Sequence, residues 1–146
     1  MDTSLLDSRA FAPFILVVDD DESTRNCYRR VLEEVGYFVD EAANGRVALR
    51  AVEEKFYEAI VVDLAMPEVD GLEFIKAASL RLPRVRIVVT SSFMQGAMLR
   101  VAEHLGADIA LMKPISPERL LQAVYENLDA YFKGEPSAAS RRSHRR

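Results

Sequence analysis

The feature that most constrains the fold is an apolar run at residues 59–67 that ends in a single carboxylate. Four consecutive apolar residues precede Asp63, a pattern typical of a strand buried on both faces of a parallel sheet. Pro67 and Gly71 then predict a turn. A lone Asp after a strand is most often a turn or cap residue. The crevice outside the carboxyl ends of an open α/β sheet, however, is where such folds bind ligands.

Further apolar runs alternate with amphipathic helical patterns along the chain. The predicted strands are residues 14–18, 37–42, 59–63, 85–89 and 109–112. Strands that alternate with helices predict an α/β domain with a parallel five-stranded sheet, helices on both faces and all carboxyl ends at one edge. The residues placed on the buried helix faces by their spacing include Cys27, Val35, Val47, Phe56, Val101 and Tyr125.

Composition indicates a soluble protein with an ordinary core. The chain has 146 residues, of which 49% are hydrophobic and 29% charged, values typical of one globular domain. A single cysteine, Cys27, excludes an intramolecular disulfide and favours a reducing compartment. No stretch has the length of a membrane span or the pattern of a signal peptide. We therefore expect a cytoplasmic protein that does not contact the membrane.

Charge and composition divide the chain into three parts. Residues 1–13 are predicted to be a loose arm, residues 14–132 the folded domain, and residues 133–146 a basic disordered tail. Four arginines and one glutamate give residues 134–146 a charge of +3, which leaves −7 on residues 1–133. An acidic body does not suit nucleic-acid binding, and four arginines without aromatic neighbours favour a solvated tail.

Polar side chains follow four of the five predicted strands. These are Asp19 and Asp20, then Asp63, Thr90 and Lys113. Clustered carboxylates repel one another unless a cation lies among them, and Mg²⁺ suits one or two carboxylates together with a phosphate. A lysine would balance the charge of a phosphoryl group, and a threonine hydroxyl could donate to one of its oxygens. Each residue alone has an ordinary structural explanation, but together they indicate phosphoryl transfer to a carboxylate.

Several short motifs lie at the predicted strand ends and turns, namely VVDD at residues 17–20, VVDLAMP at 61–67, DG at 70–71, VTS at 89–91, GAD at 106–108 and KP at 113–114. In order and spacing, they resemble the motifs of the bacterial response-regulator receiver domain, a CheY-like domain of two-component systems. The resemblance covers about residues 13–132. It implies a flavodoxin-like (βα)5 fold in three layers with strand order 2-1-3-4-5.

The resemblance also implies a role for each acidic residue. Asp63 would accept a phosphoryl group from a sensor histidine kinase, a phosphotransfer protein or a small phosphodonor. Asp20, Asp63 and the backbone carbonyl of Ala65 would bind Mg²⁺ directly, and Asp19 would act through a water molecule. Catalysis would consist of positioning and charge neutralisation, so the protein would catalyse only its own phosphorylation and dephosphorylation.

The same resemblance implies how the signal leaves the site. Lys113 would contact the phosphoryl group, and Thr90 would move to hydrogen-bond it and change the surface of the fourth helix, fifth strand and fifth helix. That surface would bind a downstream protein that the sequence does not identify, or a second copy of the chain. Many members carry a switching Tyr or Phe on the fifth strand, but this chain has Ala110, and Ile115 replaces a frequent Phe after Lys-Pro. The usual aromatic switch is therefore missing.

Two other functions stay open from the sequence. A Mg²⁺-dependent phosphohydrolase with an aspartyl-phosphate intermediate often carries a second Asp two residues after the nucleophile, but Ala65 occupies that position. A scaffold that binds partners without phosphorylation is kept open by Ala110, although the intact acidic residues, Thr90 and Lys113 argue against it. We expect a receiver that acts alone or one cut from a longer regulator.

Overall fold

A parallel five-stranded sheet forms the centre of the protein. The structure is a computed structural model that describes residues 12–64, 71–92 and 96–143. The strands, in chain order, are β1 (Phe14–Val18), β2 (Phe38–Ala42), β3 (Ala59–Asp63), β4 (Arg86–Ser91) and β5 (Ile109–Met112). They pair in the order β2-β1-β3-β4-β5, and every pairing is parallel. The predicted fold class and strand order are thus confirmed.

Helices cover both faces of the sheet. They are α1 (Glu22–Glu34), α2 (Gly45–Glu54), α3 (Gly71–Arg81), α4 (Gly96–Leu105), α5 (Pro117–Phe132) and α6 (Ala138–Ser143). Side-chain oxygens of Asp21, Asn44 and Ser116 cap α1, α2 and α5 by accepting backbone N–H groups of their first turns. After β1, β2 and β5, a short polar segment therefore ends the strand and begins the next helix.

Two hydrophobic cores hold these layers together. One joins β-strand residues such as Leu16 and Ile60 to α2, α3 and α4, and the other joins residues such as Ile15 and Val61 to α1 and α5. Successive strand residues serve opposite cores because side chains alternate across a sheet. In the part of the chain that the structure describes, no helix is both long and apolar enough to cross a membrane.

Some helix faces differ from the prediction. Cys27 and Val35 are exposed, whereas Tyr28 and Leu32 are buried on the inner face of α1. Phe56 is also exposed, and its neighbour Tyr57 is buried instead, because α2 has already ended at Glu54 and helical spacing no longer applies. The predicted inward residues Val47, Val101 and Tyr125 lie exposed as well. Leu32 is buried as predicted, so the error in α1 lies at its ends, where Tyr28 faces inward in place of Cys27 and Val35 is the C-cap residue.

The prediction of a disordered tail is wrong for the described residues that follow α5. The Ser137 hydroxyl donates to the carbonyl of Pro83 at 2.8 Å, and the Ala138 N–H donates to Asp108 Oδ1 at 2.7 Å. Asp108 also pairs with Arg86 at 3.6 Å, with both side chains buried. The segment after α5 docks here because Asp108 of the buried ion pair accepts one of its backbone N–H groups. The predicted arm lies mostly outside the described residues.

Replacement of Ser137 by alanine tests this docking. The hydroxyl donates to Pro83 and accepts the Ser140 N–H at 3.0 Å, so Ser137→Ala should lower the free energy of unfolding by about 1–2 kcal/mol. Urea unfolding measures the change. Ser23→Ala, at an exposed position of α1, should stay within about 0.5 kcal/mol of wild type. Equal stability of all three proteins would mean that the segment is not docked in solution.

Candidate functional site

The carboxyl edge of the sheet gathers the predicted polar residues. Asp19 and Asp20 follow β1, Asp63 ends β3, and Lys113 follows β5. Thr90 lies on β4 directly opposite Asp63 in the strand register. The sheet geometry therefore brings together five of the six predicted site residues. The sixth, Ala65, lies outside the described residues.

Three carboxylates crowd this edge. Ligand oxygens of Asp19, Asp20 and Asp63 lie within 4.8 Å of one another. Asp19 is 1% exposed and Asp63 6%, whereas Asp20 is open to solvent. Negative charges this close repel one another, most strongly where burial removes water. Oxygen ligands at this spacing suit a hard divalent cation such as Mg²⁺, so the residues present fit the ion that the sequence predicts.

Lys113 supplies positive charge within the cluster. Its Nζ atom lies 2.9 Å from Asp19 Oδ2 and 3.4 Å from Asp63 Oδ2. Partial burial disfavours the charged ammonium, but the hydrogen bond to Asp19 and the charges of Asp63 and Asp19 outweigh it. The pKa of Lys113 is therefore raised above its usual value. The ammonium stays protonated at neutral pH and can reach both carboxylates.

Asp19 is fixed by contacts on every side. The Asp21 N–H donates to its Oδ1 at 2.9 Å, and the Arg25 guanidinium donates to its backbone carbonyl at 2.9 Å. Asp21 in turn caps α1, where hydrogen bonds from the Thr24 side chain and backbone lower the pKa of Asp21. Helix capping thus explains one acid of the DDDE run, while Asp19 and Asp20 belong to the charge cluster.

Thr90 presents an unused hydroxyl. The residue is fully buried, and within the described ranges its Oγ1 atom has no hydrogen-bond partner. Its backbone carbonyl is occupied, since it accepts the Leu64 N–H at 3.0 Å. A buried hydroxyl without a partner costs about 1–3 kcal/mol. A polar group arriving beside Asp63 could recover that cost.

Sequence reasoning missed Tyr28 as a residue of this region, and it used Gly71 as a turn and motif residue without predicting its contact with Asp63. Tyr28 is buried, which raises the pKa of its phenol, and it shares with Lys113 the wall of an open cavity of about 550 Å³. A Cβ atom on Gly71 would lie 2.5 Å from the Asp63 carbonyl oxygen, so only glycine fits. Helical spacing from Leu32 could have found Tyr28, whereas nothing local reveals the contact at Gly71.

Comparisons with known proteins give the family. The family model described as the response regulator receiver domain matches residues 15–125, and the chain belongs to that family. The chemotaxis protein CheY of Thermotoga maritima is 33% identical over 111 residues, which are 75% of this chain and 92% of that protein. The protein is thus a CheY-like receiver domain of two-component signalling, a class of signalling proteins and not of classical enzymes.

Solved structures agree with this assignment. A CheY-like receiver domain from Methanospirillum hungatei superposes with a TM-score of 0.76 at 29% identity, covering 84% of this chain and 98% of that one. A response regulator from Burkholderia pseudomallei with a phosphorylated aspartic acid, a calcium ion and citrate has a TM-score of 0.73 at 32% identity. That match covers 84% of this chain and 72% of that one. Receiver domains bind Mg²⁺ at an acidic pocket and interact with histidine kinases or phosphotransfer proteins.

The crowding of the carboxylates predicts an unusual effect on stability. Asp20→Asn removes one repelling charge, so without divalent ions it should raise the free energy of unfolding by about 0.5–1 kcal/mol. Saturating Mg²⁺ should make wild type the more stable of the two proteins, because ligand binding stabilises only the protein that retains its site. Thermal unfolding with Mg²⁺ or with a chelator measures both effects. Glu53→Gln, at an exposed position of α2 that leaves the acidic site intact, should match wild type both with Mg²⁺ and with the chelator. An Asp20→Asn protein less stable than wild type without metal would contradict the repulsion.

Proposed function

We propose that the protein is a phosphorylation-dependent signalling module in which Asp63 accepts a phosphoryl group in the presence of Mg²⁺. The observation that carries the proposal is the position of Lys113 Nζ, within 3.4 Å of carboxylates from two different strand ends. The resemblance to the Burkholderia response regulator, which carries a phosphorylated aspartic acid, supports it. The phosphodonor would be the phosphohistidine of a sensor kinase or of a phosphotransfer protein.

The metal ligands would be those that the resemblance to receiver domains implies. Both carboxylate oxygens of Asp19 have partners, Lys113 and the Asp21 N–H, so Asp19 would contact the ion through water. Asp20 and Asp63 would bind it directly, with the carbonyl of Ala65. When bound, Mg²⁺ neutralises charge on the oxygens of the phosphoryl group.

Phosphoryl transfer then needs little from the protein beyond position and charge. A carboxylate oxygen of Asp63 attacks phosphorus, the phosphorus–nitrogen bond of the phosphohistidine breaks, and its electron pair stays on the imidazole. The product is an acyl phosphate on Asp63. Lys113 Nζ already lies near the Asp63 carboxylate and would balance the charge of the phosphoryl group. The Thr90 hydroxyl would donate a hydrogen bond to a phosphoryl oxygen.

The output surface would lie beside this site on α4, β5 and α5. Val101, Met112 and Tyr125 are large hydrophobic side chains exposed on these three elements, and exposed apolar groups of this kind suit a protein partner. Because position 110 is alanine, the change would pass through Thr90 and β4 without an aromatic switch. We propose a downstream protein as the occupant, with self-association through the same face as the alternative.

Intact-protein mass spectrometry tests phosphorylation. Incubation with Mg²⁺ and acetyl phosphate or phosphoramidate should add one phosphoryl group to the wild type. Asp63→Asn, or wild type in excess chelator, should gain none, because the first lacks the acceptor and the second lacks charge neutralisation. An equal adduct on Asp63→Asn would contradict the assignment of the acceptor. Steady hydrolysis of phosphomonoesters would favour a phosphohydrolase instead.

Substitution of Thr90 separates phosphorylation from its output. Thr90→Val keeps the shape and removes the buried hydroxyl, so the free energy of unfolding should be unchanged or higher by up to about 1 kcal/mol. Phosphorylation of Asp63 should continue, but amide exchange in α4, β5 and α5 should no longer respond to it.

The matched control is Thr90→Ser, which keeps the hydroxyl and should keep the response. If Thr90→Val responds to phosphorylation as wild type does, Thr90 does not carry the signal. If Thr90→Ser loses the response together with Thr90→Val, the hydroxyl is not the group responsible.

A further inference from the structure

Arg25 connects the acidic edge of the site to a neighbouring strand. Its Nη1 atom donates to the Asp19 carbonyl at 2.9 Å, and its Nε atom lies 3.2 Å from Glu41 Oε1 on β2. We propose that Arg25 is a positioning residue that sets the divalent-cation affinity of the site by fixing the turn that carries Asp19 and Asp20. The inference rests on the proposed function, which supplies the role of that cation.

The turn is held at each backbone and side-chain group of Asp19. The Asp19 N–H donates to the Ala42 carbonyl at 3.1 Å, and its carboxylate binds Lys113 and the Asp21 N–H. Arg25 supplies the remaining contact, at the carbonyl that begins the peptide unit of Asp20. The direction in which Asp20 leaves the backbone therefore depends on the Arg25 contact.

Glu41 makes this contact rigid. Its side chain is mostly buried, as is that of Arg25, and its second oxygen accepts from Arg29 Nη1 at 2.9 Å. A guanidinium held by a carboxylate on one side presents its other N–H groups in a fixed plane. Partners outside the metal ligands that orient them commonly change metal affinity.

Charge and position predict opposite effects for Arg25. A positive charge beside the site repels a divalent cation, so by charge alone its removal would tighten binding. If Arg25 instead positions the ligands, its removal loosens the turn and weakens binding. The sign of the change in Mg²⁺ affinity therefore decides between the two effects.

Calorimetric titration of the full chain with Mg²⁺ measures this sign. Arg25→Gln should raise the dissociation constant about tenfold. Arg25→Lys keeps the charge but lacks the fork that reaches both Asp19 and Glu41, so it should also weaken binding, by a smaller factor. The matched control is Arg29→Gln. It removes an equal charge and the ion pair with Glu41, but Arg29 does not contact the Asp19 carbonyl in the structure. Its dissociation constant should stay within about twofold of wild type.

Amide exchange of the Asp21 N–H without metal gives a second readout. This group donates to Asp19 Oδ1, so it should exchange faster in Arg25→Gln and at the wild-type rate in Arg29→Gln. If Arg25→Gln does not unfold cooperatively, the Mg²⁺ titration and the amide exchange are measured on Arg25→Lys and Glu41→Gln instead.

Three results would overturn the inference. Equal or tighter Mg²⁺ binding by Arg25→Gln, while wild type binds Mg²⁺, would overturn the positioning role alone. Equal weakening by Arg29→Gln would also overturn it, because the effect would then not require contact with Asp19. A wild-type protein that binds no Mg²⁺ would overturn the proposed function and this inference with it.

Discussion

Repulsion among three carboxylates at one edge of the sheet is the constraint to which the rest of the site responds. Parallel strands place Asp19, Asp20 and Asp63 together, and burial of two of them strengthens the repulsion. Lys113 offsets part of it by reaching both buried carboxylates. A site left with excess negative charge favours a divalent cation, and such a cation can in turn accept the charge of a phosphoryl group.

The opposite edge of the sheet holds a buried carboxylate with a positively charged partner. Arg86 and Asp108 form a buried pair there, and Asp108 also accepts backbone N–H groups of Ile87 and Ala138. Both carboxylate oxygens of Asp108 are thus engaged, although Arg86 Nε has no hydrogen-bond partner among the described residues, and these contacts hold the chain in place. At the carboxyl edge, by contrast, oxygens of three carboxylates lie within 4.8 Å of one another and Asp20 is exposed. The contrast distinguishes an edge suited to stability from one suited to binding.

Much of this arrangement could be predicted from the sequence, because strand ends in a parallel sheet must share an edge. The apolar runs located the strands, and the resemblance supplied their order, while the roles of Asp19, Asp20, Asp63, Thr90 and Lys113 stay predictions. Tyr28 was missed because Cys27 extends an apolar stripe equally well. The docked tail depends on partners far along the chain, and the Arg25 contact with Asp19 depends on Glu41 of another strand, so local patterns reveal neither.

Chemical trapping of the acceptor tests the central claim most directly. An acyl phosphate is reduced by borohydride to an alcohol, so reduction of the phosphorylated protein should convert the modified aspartate to homoserine. Peptide mapping should then find homoserine at position 63 and only after incubation with both phosphodonor and Mg²⁺. Homoserine at position 19 or 20, or none despite a phosphoryl adduct, would contradict the account in which Asp63 is the acceptor.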